Sequence, residues 1–498
     1  MIKTQNAAKI TELDNVAVAL EDITPGEQIF GIQAVQLVPT GHKMALRPIA
    51  RGENVIKYGY AIGRATTDIK PGEHVHNHNI KTNLHGIEEY EYNPANQHRI
   101  DKESKKITFQ GYRRPNGKVG IRNEIWIINT VGCVNKIAEK IALKANQIVQ
   151  NAHPAIDGVF TFVHPYGCSQ LGDDHIYTQD ILKNLANHPN AAGVLVLGLG
   201  CENNHIDEFK KRLGTWDDHR MKFLNAQDVS DDVEAGLFIV KELISYAETF
   251  KRERIPIGEL VIALKCGGSD GFSGITANVL TGSFADAIIH AGGSCILTEV
   301  PEMFGAETLL MNRSRDEDIF NKTVSLINDF KEYFIRHNQE IYENPSPGNK
   351  EGGITTLEEK SLGCTQKGGN SYVVDVLNYG ETVKLPGLNL LQGPGNDIVA
   401  VTNLAAAGAH IVLFTTGRGT PLGGPVPTVK ISSNTTLAKT KKHWIDFDAG
   451  VLLHNTSLED LTAQFMDYII KLAGGEAKTN NEINDYREIA IFKDGVTL

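Results

Sequence analysis

A parallel α/β body in two parts, preceded by a small β-rich module, is the fold class this sequence predicts. Three observations carry that expectation. The first 98 residues hold short β-rich runs between Pro-Gly and Gly turns, with no long helical period. From Gly111 onward, apolar strands alternate with helical segments, the signature of a parallel sheet. At 498 residues the chain exceeds what a single core supports, so several domains are expected. The divisions that follow are a β module over 1–98, a linker over 99–107, a first α/β domain over 108–254 and a C-terminal α/β domain over 255–498.

In the module, the runs VAVAL, VIKYGYAIG and EHVHNHNI are separated by turns at Pro25-Gly26, Gly41, Gly52 and Pro71-Gly72. If Glu73 to Asn79 is a strand, His74, His76 and His78 point to one face, because strand side chains alternate. Three imidazoles on one face make a partial metal site, or two ligands with a proton-transfer group. The pairs His42-Lys43 and Lys57-Tyr58 follow other turns, where spacing does not separate function from surface decoration. Residues 91–107 are polar, charged and weakly patterned, which reads as a linker.

The first α/β part shows a strand over 125–129 leading into Val131-Gly132-Cys133 and a helix over 136–149. A strand over 158–163 leads into His164 through Gln170, and Asp173-Asp174-His175 opens a helix. A strand over 193–197 leads into Gly198 through Asn204, and a long amphipathic helix over 230–252 closes the domain. In the second part, the strand 261–264 delivers Lys265 and Cys266 into a turn holding Gly267, Gly268, Gly271 and Gly274, followed by a helix over 279–290. Further strands at 295–298, 388–391 and 410–414 each lead into a turn, and a helix over 458–472 precedes a C-terminal tail. Residues 343–370 are glycine-rich without apolar period and read as one long functional loop.

In a parallel sheet, the turns at the carboxyl ends of strands are where ligands bind. The turn after 261–264 offers backbone N–H groups to an anion. Ser269, Asp270, Thr276 and Asn278 add polar partners for a polyhydroxylated molecule, and Arg418, after another strand, is able to grip a carboxylate.

Cys133, Cys168, Cys201, Cys266 and Cys364 each adjoin a glycine, and four follow a strand directly. Two chemistries fit: an iron–sulfur cluster with an open iron, or a mononuclear metal on histidine and carboxylate with the thiols packed nearby. No CxxC spacing is present to favour the cluster. Six cysteines in so long a chain make no disulfide framework, which points to a reduced cytoplasm. A net charge of −11 argues against nucleic acid or an acidic membrane as partner. No apolar run approaches a membrane span, and the N-terminus lacks a secretory apolar core.

The stretches GEHVHNHN, YGCSQLGDDH, GLGCENN, CGGSDGFSGITAN, TEVPEMFGAE, NPSPGNKEGGITTLEEKSLGCTQK, GRGTPLGG and KKHWIDFDAG resemble the altronate and galactarate dehydratase family. The likeness runs from about residue 10 to the C-terminus. It implies an N-terminal module of SAF or β-clip type, and a hydro-lyase that takes D-altronate to 2-dehydro-3-deoxy-D-gluconate in bacterial hexuronate catabolism. Galactarate or a non-catalytic sugar-acid-binding role stands as the alternative. Fe²⁺ is the implied cofactor, with Mn²⁺ as a substitute and an iron–sulfur cluster as the other possibility, in a homo-oligomer, a dimer.

Such an elimination removes the C2 proton beside a carboxylate, and a divalent metal with nearby cations would stabilise the charge that forms. Arg418, Lys265 and Lys43 are the cationic candidates. Proton transfer falls to a histidine or a desolvated lysine among His42, Lys43, His78, His175 and Lys265. The metal is expected on His74 and His76, completed by Glu202 from the body.

Overall fold

The computed structural model describes residues 1–94, 107–454 and 456–498. Of the stretch 91–107 read as a linker, residues 91–94 and 107 are among the described residues. Among all the described residues, no helix is long and apolar enough to cross a membrane.

The N-terminal residues form a five-stranded antiparallel sheet in the order Ile2–Lys3, Ala7–Lys9, Val16–Ala19, Lys43–Ala45, His74–Val75. A second sheet holds Ile80–Lys81, Tyr60–Ala65 and Asn54–Lys57. The pairing of Lys43 with Val75 and Met44 with His74 sets the geometry of the site below. Carried one pair further, this register brings His42 opposite His76.

The second region is a four-stranded parallel sheet in the order Gly158–Thr161, Glu124–Asn129, Ala191–Gly198, Met221–Asn225. The helices Asn135–Ala152 and Asp232–Ala247 share one core with it, built on Ile125, Ile127, Ile141 and Leu243. The helix expected to reach residue 252 stops at Ala247. Arg252–Pro256 becomes a strand paired with Thr108–Arg113, because Pro256 biases the residue before it toward extended backbone.

The third region is a seven-stranded parallel sheet in the order Val373–Leu377, Gly387–Leu391, Ser294–Leu297, Val261–Cys266, Ile411–Thr416, Thr428–Ser432, Phe447–Asp448. Its central strands are buried throughout, as strands covered on both faces must be. The two parallel sheets share a core in which Trp126, Phe162 and Leu182 pack with Ile296, Leu404 and Phe414. The stretch read as one long loop over 343–370 contains the helices Pro347–Glu351 and Leu357–Cys364. Both are N-capped by side chains, Ser346 and Thr356. Leu357–Cys364 is buried on every side, so it shows no amphipathic period.

The C-terminal tail is fastened to the second region by buried ion pairs. Arg122 grips Glu482 through Nε and Nη2 at 2.6 and 3.1 Å, and Arg487 pairs with Glu124. Burial alone would raise the Glu482 carboxyl, but Arg122 overrides this and holds it at about 2 rather than 4.5. A depressed folded-state value means the pair stabilises the fold above the ordinary carboxylate range and is lost as pH falls toward 2. Glu482→Gln leaves Arg122 buried without a counter-charge and is expected to destabilise by about 3–5 kcal/mol at neutral pH. The variant should also lose part of the acid dependence. Urea denaturation across pH 3–7, compared with the unaltered chain, checks both.

Candidate active site

The histidines meet where the module touches the body. His42 Nδ1 lies 3.0 Å from His74 Nε2, and the His42 ring centroid stands 4.6 Å from that of His76. The rings of His74 and His76 stack at 5.5 Å. One nitrogen from each of the three lies within 4.8 Å of the others. His42 Nε2 contacts the Glu351 carbonyl at 3.1 Å, which fixes the ring as an outer-shell partner does for a metal ligand. His76 Nδ1 is buried with no hydrogen-bond partner in the structure.

The third member of this group differs from the expected one. Only His74–Val75 is strand; the chain then turns, with Asn79 Oδ1 accepting from His76 N–H and the His76 carbonyl accepting from Asn79 N–H. That turn leaves His78 exposed, its ring 5.4 Å from His74, and the antiparallel register supplies His42 in its place. Burial lowers all three histidines. His74 falls to about 4 by desolvation, then by His42, and His76 to about 3 by desolvation, then by Lys43. Neutral imidazoles with free lone pairs are the result.

Lys43 lies beneath them, fully buried, donating to Glu359 at 2.8 Å and to the Gly353 carbonyl at 2.7 Å. Lys57 donates to the other Glu359 oxygen at 2.8 Å. Beside His42 runs a groove of about 600 Å³ lined by Gly41, Asp270, Glu351, Arg418 and Asn434. Arg418 there pairs with Glu351 at 2.8 Å, both side chains partly exposed.

The glycine turn builds a second centre. Lys265 is buried between Glu299 and Asp397, and these carboxylates raise its value against the effect of burial. Glu299 holds a left-handed φ of 68°, which aims its carboxylate at Lys265 and at the Cys266 N–H. Cys266 Sγ and Cys364 Sγ are 3.3 Å apart, and both donate to Glu302. Burial alone would raise the Glu302 carboxyl, but Lys360 and Lys367 hold it far down, and the hydrogen bond with Cys364 leads in raising the Cys266 thiol. Cys266, Glu302, Lys360 and Asp397 face a cleft of about 900 Å³.

Other expected residues are placed elsewhere or have a structural duty. Glu202 does not join the histidines; its carboxylate accepts from Thr130 and from the N–H groups of Leu199 and Gly200, bracing a loop of the four-stranded sheet. His175 lies in the helix Gly172–Ala186, and its electrostatic neighbour is Glu208. Thr276 and Asn278 are fully buried, holding the Phe272, Ser433 and Gly363 carbonyls, so they lock the turn instead of facing a ligand. Asp270 binds Ser273, Ser433 and Asn434 while lining the groove, and the Ser269 hydroxyl is buried without a partner. Cys133, Cys168 and Cys201 are exposed on the four-stranded sheet, away from the buried Cys266 and Cys364. Cys364 ends a helix and does not follow a strand. Glu359 and Glu351 were not singled out from the sequence, because they sit in the stretch 343–370, which shows no apolar period.

Sequence models of three family domains match the chain. The altronate/galactarate dehydratase SAF domain matches 5–83, the D-galactarate dehydratase/altronate hydrolase second domain 111–248, and the D-galactarate/altronate dehydratase C-terminal domain 257–497. The chain is 56% identical over 494 residues to altronate dehydratase of Escherichia coli (strain K12), covering 98% of this chain and 99% of that one. It is 54% identical over 498 residues to altronate dehydratase of Bacillus subtilis (strain 168), with coverage of 98% and 99%. To galactarate dehydratase (L-threo-forming) of Escherichia coli (strain K12) it is 30% identical over 507 residues, covering 97% and 96%.

Proposed function

This chain belongs to the altronate/galactarate dehydratase family, and from that premise we propose that it dehydrates D-altronate to 2-dehydro-3-deoxy-D-gluconate at the seam between module and body. The observation that carries the siting is the histidine trio: three neutral imidazoles with converging nitrogens, beside a groove that holds an arginine. The two relatives named for altronate, at 54–56% identity, favour that substrate over galactarate at 30%.

The trio fits a divalent ion. For nitrogens bonded at about 2.1 Å, cis ligands stand about 3.0 Å apart; His42 Nδ1 and His74 Nε2 are 3.0 Å apart. The unpartnered His76 Nδ1 and the His42 Nε2 contact to Glu351 complete the pattern. All-imidazole donors suit Fe²⁺. When bound, the ion supplies Lewis-acid stabilisation of the charge that develops on the substrate carboxylate.

The chain's own residues do the rest. Arg418 exchanges Glu351 for the substrate carboxylate, a charge-assisted contact that orients C2 toward the histidines. Buried Lys43 discourages protonation of His42, His74 and His76, so their lone pairs stay available. His78, exposed beside His74, is the group we assign to proton transfer between C2 and the departing C3 hydroxyl.

The test is 2-keto acid formation from altronate and from galactarate, with and without added Fe²⁺. Iron-dependent turnover of altronate supports the reading, and turnover of galactarate alone overturns it. Arg418→Ala is expected to raise KM for altronate about tenfold, from the loss of one charge-assisted contact. An unchanged KM would remove Arg418 from the substrate site.

A further inference from the structure

The four-stranded sheet carries a second set of groups that the dehydration does not use. Its adjacent strands Gly158–Thr161, Glu124–Asn129 and Ala191–Gly198 each end in a loop that delivers an exposed cysteine: Cys168, Cys133 and Cys201. The other three cysteines of the chain are buried. Exposed free thiols are a liability unless they have a ligand.

The three loops are locked onto one another. Gly132 N–H donates to the Tyr166 carbonyl, and Asn204 N–H to the Gly167 carbonyl. Asn203 Oδ1 accepts from Ser169 N–H at 2.9 Å, and Asn204 Nδ2 donates to the Thr130 carbonyl at 3.0 Å. The glycine before Cys168 is required by this closeness: a Cβ on Gly167 would lie 2.0 Å from the Thr130 carbonyl oxygen, and one on Gly132 2.5 Å from that of His164. Ser169, next to Cys168, holds a left-handed φ of 58°. Two of the sulfurs already have polar neighbours: Gln227 Nε2 stands 3.6 Å from Cys201 Sγ, and Ser169 Oγ 3.9 Å from Cys168 Sγ. Hydrogen bonds to sulfur of this kind tune a metal-bound thiolate.

We propose that Cys133, Cys168 and Cys201 ligate an iron–sulfur cluster of the 4Fe–4S type, leaving one iron open to a small oxygen ligand. Three donors on one rim account for three of the four iron corners. Among the described residues, the groups whose ligand atoms all fall within 4.8 Å are the histidine trio and Cys266–Glu302–Cys364. The rim thiols are not among those groups, so their sulfurs do not all fall within that distance. A single tetrahedral ion with sulfur bonds of about 2.3 Å needs its sulfurs about 3.8 Å apart, so a cluster body suits the wider spacing better. An odd number of thiols also argues against disulfide pairing as their purpose. This centre is separate from the histidine-bound metal of the proposed dehydration and does not depend on it.

The full-length chain, reconstituted without oxygen using ferrous iron and sulfide, should hold about four acid-labile sulfides with matching iron. Cys133→Ser, Cys168→Ser and Cys201→Ser should each lose most of that sulfide, while Cys295→Ser keeps it. His76→Ala should keep the sulfide too, which separates the two iron sites. Circular dichroism confirms that each variant is folded. The proposal is overturned if iron binds without acid-labile sulfide, or if the three rim variants retain sulfide as Cys295→Ser does.

Discussion

His76→Ala should lower kcat/KM for altronate by about a thousandfold or more, because losing a Lewis acid removes several kcal/mol of transition-state stabilisation. His76 stacks on His74 and lies against His42, so its removal leaves two imidazoles that cannot hold an ion alone. The fold should survive, since the side chain is half-buried at the edge of the module and its Nδ1 makes no hydrogen bond that folding relies on. The expected loss of stability is about 1 kcal/mol or less. Histidine-bound iron, measured after removal of any acid-labile sulfide fraction, should fall with the activity. Full activity in a folded, iron-poor His76→Ala protein would sink the siting of the reaction at this seam.

A pH dependence follows from the same neutral rings. Burial depresses His74 to about 4 and His76 to about 3, and it also lowers His42 from its ordinary value, so neutral rings are favoured at neutral pH. Iron binding, measured by titration, should then change little between pH 7 and 8, and a steep change over that range would sink the neutral-ring reading.

How far the sequence made this legible depends on the range of each contact. Val261–Cys266 and Ala277–His290 are read well, because an apolar run, glycines and a helical period are local signals. His74 and His76 are visible for the same reason. His42 was visible as a residue but not as their partner, since it comes through strand register from 32 positions away. Cys266 and Cys364 were both in view, yet their 3.3 Å approach needs the helix Leu357–Cys364, which shows no period because it is buried all round. Thr276 and Asn278 illustrate the opposite case. A polar residue in a turn must find a partner when buried, and sequence does not say whether that partner is a ligand or a backbone carbonyl. Glu202 is a similar case, since its carboxylate accepts from the Thr130 hydroxyl and from N–H groups of its own loop.

Glu359 shows the energetic side of the hidden helix, and its replacement carries an expected loss of stability as large as that of Glu482→Gln. Its carboxylate accepts from Lys43 and Lys57 at 2.8 Å each, and from Thr355 N–H at 2.8 Å, with all three charged side chains essentially excluded from water. The two lysines come from the module and the carboxylate from the body, so this triad clamps one to the other. Burial alone would raise the carboxyl of Glu359; the two ammonium groups override it and hold the group well below the usual range. One carboxylate neutralises one lysine. The imbalance shows at Lys43, which desolvation brings down to about 8, while Glu359 keeps Lys57 above its usual value.

Glu359→Gln would leave two buried ammonium groups facing an amide, and is expected to destabilise the docked state by about 3–5 kcal/mol. Lys57→Met should do far less harm, because it leaves Lys43 and Glu359 as a matched pair and removes the repulsion that depresses Lys43. Denaturation midpoints for both variants, with limited proteolysis to detect a released module, test the asymmetry. Activity should fall with Glu359→Gln, since an undocked module carries His42, His74 and His76 away from Arg418. If Lys57→Met proves as damaging as Glu359→Gln, charge balance is not what joins the two parts, and the packing of Tyr58 against Gly274 and Gly363 becomes the stronger explanation.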